Sequence, residues 1–287
     1  MSTEATATPD DSTLSEPELR EAIAGEQWYH TLELAPGIET PGWFDLRGTA
    51  SRILPASLEG MRCLDVGTFD GFWAFEMERR GARQVIGIDI LDPYQWDWPA
   101  NSEQETVAAL AERKREGVGF ELARRALGSS VDRRELSIYD LDPEEIGSFD
   151  LVYVGSLLLH LRDPVGALMR TRAVCSGTLI VCDAIDLAKT RRFFRQPVVT
   201  LDGLGRPWWW KPNLAALGRM VEAAGYELSE RPRRLRMTLG AGHGQRQFKL
   251  RWLVSSAARE EMMITWLGDP HGVVVAHPRA RPRVGAS

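Results

Sequence analysis

The stretch Cys63-Leu64-Asp65-Val66-Gly67-Thr68-Phe69-Asp70-Gly71-Phe72-Trp73-Ala74-Phe75-Glu76-Met77, followed by Gln84-Val85-Ile86-Gly87-Ile88-Asp89-Ile90, decides the fold. It reads as a short buried strand, a glycine turn, a helix, and a second buried strand ending in an acid. Gly67 and Gly71 carry no side chain, so the backbone there can pass close to a ligand. The helix that begins near Phe72 turns its free N–H groups toward that ligand. Asp89 stands at the tip of the second strand, 22 residues beyond Gly67. A carboxylate in that place can take both hydroxyls of a ribose. Two charge-assisted hydrogen bonds of this kind are worth roughly 1.5–3 kcal/mol each. The stretch therefore points to an adenosine ligand.

Details of the turn narrow the ligand. The nicotinamide fingerprint asks for G-x-G-x-x-G with a helix N-terminus facing pyrophosphate. Here the turn is G-T-F-D-G, which would put Asp70 where phosphates gather. Asp65 is equally out of place beside a pyrophosphate, yet it suits a ligand with a cationic amino-acid end. The stretch Leu64-Asp65-Val66-Gly67-x-x-x-Gly71 with Gly87-Ile88-Asp89 resembles motif I and its acidic follower in class I S-adenosylmethionine (SAM) methyltransferases. The alternative is a helix-capping glycine turn in some other α/β protein. The resemblance implies SAM as cofactor and S-adenosylhomocysteine (SAH) as product. It implies cofactor contacts from Asp65, Gly67, Thr68, Phe69, Gly71, Asp89 and Ile90.

The whole chain sets broader bounds. Its 287 residues suit one large α/β domain with additions, and 44% apolar with 26% charged residues is ordinary for a globular protein. A net charge of −5 argues against a general phosphate-binding surface, without excluding a local basic groove. Cys63, Cys175 and Cys182 lie in or beside apolar runs and form no C-x-x-C pair, so they read as core residues in a reducing compartment. The five histidines show no metal-ligand spacing, and no metal is expected. The acidic, polar N-terminus is unlike a secretory signal. The apolar run Leu151–Leu161 is too short to span a bilayer. Cytoplasm, with no membrane partner, follows by default.

Taken in order, residues 1–17 read as a disordered tail, with a short helix over Pro17–Glu26. Residues 18–58 read as a cap over the ligand, carrying Trp28-Tyr29-His30 and Thr40-Pro41-Gly42-Trp43 and closing with a helix over 49–58. A hydrophobic strap is the competing reading of the cap's aromatics. Residues 59–278 read as the ligand-binding domain. After Asp89 come an aromatic loop over 92–99, a charged helix over 102–115 and a further helix over Gly119–Gly128. Leu136–Leu141 reads as a short strand ending in an acid. The fourth strand, Ser148–Ser156, is apolar throughout, as a strand buried on both faces should be. Leu157-Leu158-Leu159-His160-Leu161-Arg162-Asp163-Pro164 follows at its carboxyl end, where ligands sit in open α/β sheets. A fifth strand spans Thr178–Ile185. An insertion near 188–212 carries Trp208-Trp209-Trp210, and residues 279–287 read as frayed. The expected architecture is α/β, a doubly wound, mostly parallel seven-stranded sheet with one antiparallel strand and an N-terminal cap.

With Trp28-Tyr29-His30, Thr40-Pro41-Gly42-Trp43, the motif I stretch and Leu159-His160-Leu161-Arg162-Asp163-Pro164 together, the chain resembles a narrower group over residues 26–226. These are the tRNA wobble-uridine carboxymethyltransferases and their actinobacterial small-molecule relatives. By that resemblance Asp140 and Leu141 hold adenine, with Trp43, Arg47, Gly155 and Ser156 also on the cofactor. Asp140 as a helix cap is the alternative. Members using carboxy-SAM have a tyrosine directly before the histidine, and here that residue is Leu159. An apolar side chain would leave a buried carboxylate poorly satisfied, which favours ordinary SAM.

His160 is the first candidate for a general base and His30 the second, because imidazole can accept a proton near neutrality. A structural histidine is the competing reading of His160. Tyr29, Trp208, Trp209 and Trp210 are expected to contact the acceptor, their rings offering flat area with a polar edge. Arg191, Arg192, Arg195 and the run Arg231–Arg236 could attract an acidic substrate or form a solvated face. The expected function is methyl transfer to O or N of a small organic acceptor. Alternatives are tRNA wobble-uridine (carboxy)methylation, a non-catalytic SAM-binding regulatory module and a nicotinamide dehydrogenase.

Overall fold

The computed structural model describes residues 14–100, 102, 104–201, 208–244 and 256–280. Most of the expected N-terminal tail, residues 202–207 of the insertion and the end of the C-terminal tail lie outside the described residues.

Helix α1 (Glu16–Ala24) opens the described chain with Ser15 and Glu18 forming a capping box. A two-stranded hairpin, Glu33–Ala35 with Ile38–Glu39, follows inside the cap. The expected helix over 49–58 is a single turn, Arg47–Ala50. Then come β1 (Arg62–Val66), α2 (Phe72–Arg79), β2 (Gln84–Asp89), α3 (Gln104–Lys114) and α4 (Val118–Ala126). Beyond them lie β3 (Asp132–Glu135), β4 (Phe149–Gly155), α5 (Pro164–Val174), β5 (Cys175–Ala184) and α6 (Leu187–Arg192). The chain closes with α7 (Leu214–Ala223), β6 (Tyr226–Leu228), β7 (Arg233–Met237), α8 (Ser256–Leu267) and β8 (Asp269–Pro278).

The sheet has eight strands in the order β6-β8-β5-β4-β1-β2-β3, with β7 pairing β8 alongside β6. Strands β1 to β5 run parallel, and β8 is antiparallel to β5, β6 and β7. The mostly parallel α/β sheet with one antiparallel strand thus holds, with one strand added. That strand, β7, is the arginine run expected to be a solvated or substrate-attracting face. It pairs Arg233–Met237 with Asp269–Val273, and it buries Leu235 and Met237 between its arginines. The strand expected over Leu136–Leu141 is displaced to Asp132–Glu135, and Ile138–Asp140 forms a 3-10 turn. Bonding to β2 ends with Leu136 N on the Asp89 carbonyl, and the chain then enters the 3-10 turn.

Alternation along the strands divides the core into two layers. Cys63, Leu151, Tyr153 and Cys182 face α2, α4 and the cap, packed with Trp28, Trp73 and Phe120. Leu64, Val66, Val152, Val154 and Val181 face α5 and α7, packed with Leu168, Leu217 and Tyr226. All three cysteines are buried.

The glycine turn is fixed by geometry at Gly71, which caps α2 with φ 92°. A Cβ there would lie 2.4 Å and 2.7 Å from the Phe75 ring and 2.9 Å from Phe120. Gly71→Ala should therefore cost about 2 kcal/mol or more through overpacking and the left-handed backbone. Urea unfolding followed by circular dichroism checks this, and a change below about 0.5 kcal/mol would contradict the packing described.

Candidate active site

A cavity of about 360 Å³ opens at the carboxyl edge of the sheet. Its base is the Gly67–Phe69 turn after β1, Asp89 and Ile90 after β2, and Gly155 to Leu157 after β4. Tyr29, His30, Phe44 and Leu46 of the cap close one side, with Met237 at the end of β7. Trp96, Asp97, Lys114 and the Ser137–Tyr139 turn close the other. This is the edge at which parallel α/β sheets bind ligands, because the strands end there and the following loops diverge.

Asp89 is held by backbone on both oxygens. Phe69 N donates to Oδ2 and Ile90 N to Oδ1, each at 2.8 Å. Lys114 Nζ stands 2.6 Å from Oδ2, its side chain 1% exposed. The ammonium also lies 4.8 Å from the Phe69 ring centre and 4.9 Å from the Trp96 indole. Burial presses the Lys114 ammonium below the usual lysine range, and Asp89 opposes that shift. With two backbone donors and one cation on it, Asp89 keeps an accepting lone pair on Oδ1.

On the cap side, Asp70 does not face the cavity as a phosphate neighbour would. Its Oδ2 accepts from Tyr29 N at 2.9 Å and His30 N at 2.8 Å, and its Oδ1 meets His30 Nδ1. That contact fixes the ring so that Nδ1 carries the proton toward the carboxylate, leaving Nε2 as the basic nitrogen. His160 lines the same cavity from the 3-10 turn Leu158–His160.

Beneath the β4 tip, Ser156 adopts φ 50°, uncommon for a residue with a side chain. Its Oγ lies 3.0 Å from Nε2 of buried His271, whose Nδ1 is 3.2 Å from the Asp269 carbonyl. A carbonyl only accepts, so Nδ1 donates there, while Nε2 and the Ser156 hydroxyl share one hydrogen bond. Asp183 next to this pair accepts from Leu157 N, Leu158 N and Ala184 N. Burial pushes its carboxyl up to about 6, with His271 and those amides opposing. Asp65, 1% exposed, is pushed up to about 7, chiefly by burial.

Of the residues expected at the site, Tyr29, His30, Gly67, Phe69, Asp89, Ile90, Gly155, Ser156 and His160 line the cavity. The others do not. Asp65 is buried beneath the turn. Thr68 is also buried, against Gly87, and Gly71 packs on Phe75 and Phe120. Trp43 packs against His243 with the rings tilted by 59° and their centres 4.6 Å apart. Arg47 is exposed and ion-paired with Glu39 and Asp45. Asp140 is exposed and Leu141 is in the core, because the displaced strand brings Ser137, Ile138 and Tyr139 to the cavity instead.

Trp208, Trp209 and Trp210 lie half-buried behind the wall rather than in it. Trp209 Nε1 donates to the Asp97 carbonyl and Trp210 Nε1 to the Arg162 carbonyl, so they brace the residues that do line it. Asp97 Oδ2 in turn accepts from Tyr139 Oη at 3.0 Å and Arg162 N at 2.6 Å. Lys114, Trp96, Asp97 and His271 carry no local motif. A lysine closing the charged segment Glu112-Arg113-Lys114-Arg115-Glu116 reads as solvated. Among the described residues no cluster of acids, histidines or cysteines could hold a metal ion. None of their helices is long and apolar enough to cross a membrane.

A glycine turn on the first strand, an acid on the tip of the second and a mostly parallel sheet closed by an antiparallel strand define the class I SAM-dependent methyltransferase fold. Residues 45–231 match the family described as a methyltransferase domain, and the chain belongs to that family. It is 27% identical over 183 residues to a tRNA U34 carboxymethyltransferase of Dichelobacter nodosus, covering 62% of this chain and 50% of that one. It is 33% identical over 113 residues to a ubiquinone biosynthesis O-methyltransferase of Hahella chejuensis, covering 39% of this chain and 38% of the relative. The chain thus spans about half the length, or less, of these curated relatives. Among solved structures, the N-terminal domain of EvdMO1 in the presence of SAH and D-fucose superposes with TM-score 0.53 at 18% identity, over 94% of this chain and 99% of that one. The [4+2]-cyclase SpnF gives 0.50 at 18% identity, over 92% and 93%. At such identity the likeness is one of fold.

The buried acids set a pH dependence. Asp65 is raised from 3.8 to about 7, so the native state binds more protons than the unfolded chain between those values. Stability should therefore fall as pH rises through that window, with Asp183 contributing up to about pH 6. In Asp65→Asn the decline from pH 6 to 8 should flatten, by about 1 kcal/mol or more. Urea unfolding at a series of pH values checks this, and an unchanged slope would contradict it.

Proposed function

We propose that the protein transfers a methyl group from SAM to oxygen or nitrogen of a small organic acceptor. The observation that carries this reading is the cavity itself, with a ribose-accepting carboxylate on one side and a carboxylate-oriented histidine on the other. The residues fit the cofactor. The Gly67–Phe69 backbone offers close approach, Asp89 Oδ1 keeps an open acceptor position, and Ile90, Ile138 and Tyr139 supply walls for adenine. The chemistry SAM supplies when bound is an activated methyl on a sulfonium, open to in-line displacement. His30, oriented by Asp70, would accept the acceptor's proton at Nε2, and His160 is the second candidate on the same cavity. Tyr29, Phe44, Leu46 and Met237 would keep water from the reacting atoms.

A small acceptor is favoured over tRNA by a cavity of about 360 Å³ and by the net charge of −5. Ordinary SAM is favoured over carboxy-SAM, because Leu159 does not line the cavity and Arg47 is committed to two carboxylates.

Transfer of labelled methyl from SAM into metabolites of the source organism tests the reading, and SAM bound without turnover on any of them would favour the regulatory-module alternative. His30→Asn should lower turnover about 10²–10⁴-fold with SAH affinity little changed. A larger loss in His160→Asn, measured side by side, would move the proton to that residue.

A further inference from the structure

We propose that Lys114 is a cofactor-binding residue, and that the ribose is held by a carboxylate–ammonium pair, Asp89 with Lys114, rather than by a carboxylate alone. This rests on reading the cavity as a SAM site.

The inference starts from acceptor and donor positions. A lone carboxylate takes both ribose hydroxyls by offering one oxygen to each. Here Asp89 Oδ2 already meets Phe69 N and Lys114 Nζ, while Oδ1 meets Ile90 N alone. One hydroxyl can donate to Oδ1. The other needs a different partner, and the nearest polar group on that flank of Asp89 is the ammonium.

Lys114 is short of partners in the matching way. Its Nζ carries three N–H donors, and Asp89 Oδ2 at 2.6 Å is the acceptor the described residues set against it, which leaves donors unused. A buried ammonium with unused donors is costly. Its surroundings do not relieve that cost with oxygen, since Phe69 and Trp96 present ring faces. Both rings line the cavity with Lys114, whose ammonium lies just beneath that surface beside Asp89. A hydroxyl oxygen brought in beside Asp89 would supply the acceptor, and Asp89 would keep the pair neutral. Helix α3, which ends at Lys114, thereby becomes part of the cofactor site.

Calorimetric titration of SAH, 2′-deoxy-SAH and 3′-deoxy-SAH into the wild-type protein and Lys114→Met tests this. Lys114→Met should bind SAH at least about tenfold more weakly. One of the two deoxy compounds should bind the wild type about tenfold more weakly than SAH, yet bind Lys114→Met within about threefold of it. Binding of SAH by Lys114→Met within about twofold of wild type would overturn the proposal, as would tighter binding, which would make the ammonium an obstruction. If Lys114→Met shows no cooperative melt, Lys114→Gln is judged by the same criteria. A wild-type protein that binds no SAH would remove the cofactor reading itself, an outcome distinct from failure at Lys114 alone.

Discussion

The site depends on one carboxylate that never faces a ligand. Asp70 sits in the turn between β1 and α2, yet it points away from the cavity into the cap. There it gathers two backbone N–H groups and the ring of His30. Hydrogen bonds to a buried charge are worth more than neutral ones, and leaving that charge bare would be severe. The same bonds close the cavity on one side and orient an imidazole inside it. Cap and turn are therefore a single assembly, and the competing reading of the cap's aromatics as a strap describes the same contacts. Trp28 is buried in the layer with Trp73 and Phe120 while Tyr29, next in sequence, reaches the cavity.

The opposite wall is built on different physics. It hangs on Asp97, whose side chain ties Tyr139 to the backbone of Arg162 and whose carbonyl takes the Trp209 indole. Trp209 and Trp210 thus brace the wall without forming its surface. Between the walls, each end of the sheet's central strands contributes something polar and restrained: Asp89 after β2, Ser156 after β4 with His271 behind it. Ser156 Oγ is held in place by His271 Nε2. A neighbouring fold likeness to a protein named as a cyclase shows that this framework alone does not dictate a reaction. The chemistry must come from the side chains at these tips.

How much of this the residues disclosed follows from burial. Strands β1, β2, β4 and β5 are covered on both faces, so they are mostly apolar and easy to read. Asp132–Glu135 and Arg233–Met237 are edge strands, where side chains reach water and the apolar signal weakens. Apolarity places the first at Leu136–Leu141, where the chain instead makes the turn that brings Ser137, Ile138 and Tyr139 to the cavity. Glycines and Asp89 were legible because backbone geometry demands particular residues there. Asp65 looked like a ligand contact because it adjoins Gly67, but alternation along β1 sends it to the core. Lys114 and His271 were illegible for a different reason. Long-range packing brings Lys114 to the cavity and His271 behind Ser156, and nothing nearby in sequence marks either.

The cap's far end is joined to the chain's last third. Asp45 N donates to the Thr238 carbonyl, Gly240 N to the Trp43 carbonyl and Gly242 N to the Gly42 carbonyl. Met237 reaches the cavity from the same segment. A chain emerging from the ribosome can pair β1 with β2 early, but it cannot shut this crevice until residues near 240 are free. Contacts spanning so much sequence are slow to form, and a nascent or truncated chain would show apolar cap residues to water meanwhile. The protein's capacity to hold a ligand is therefore gained late in its own synthesis, and it would be among the first properties lost to cleavage in that segment.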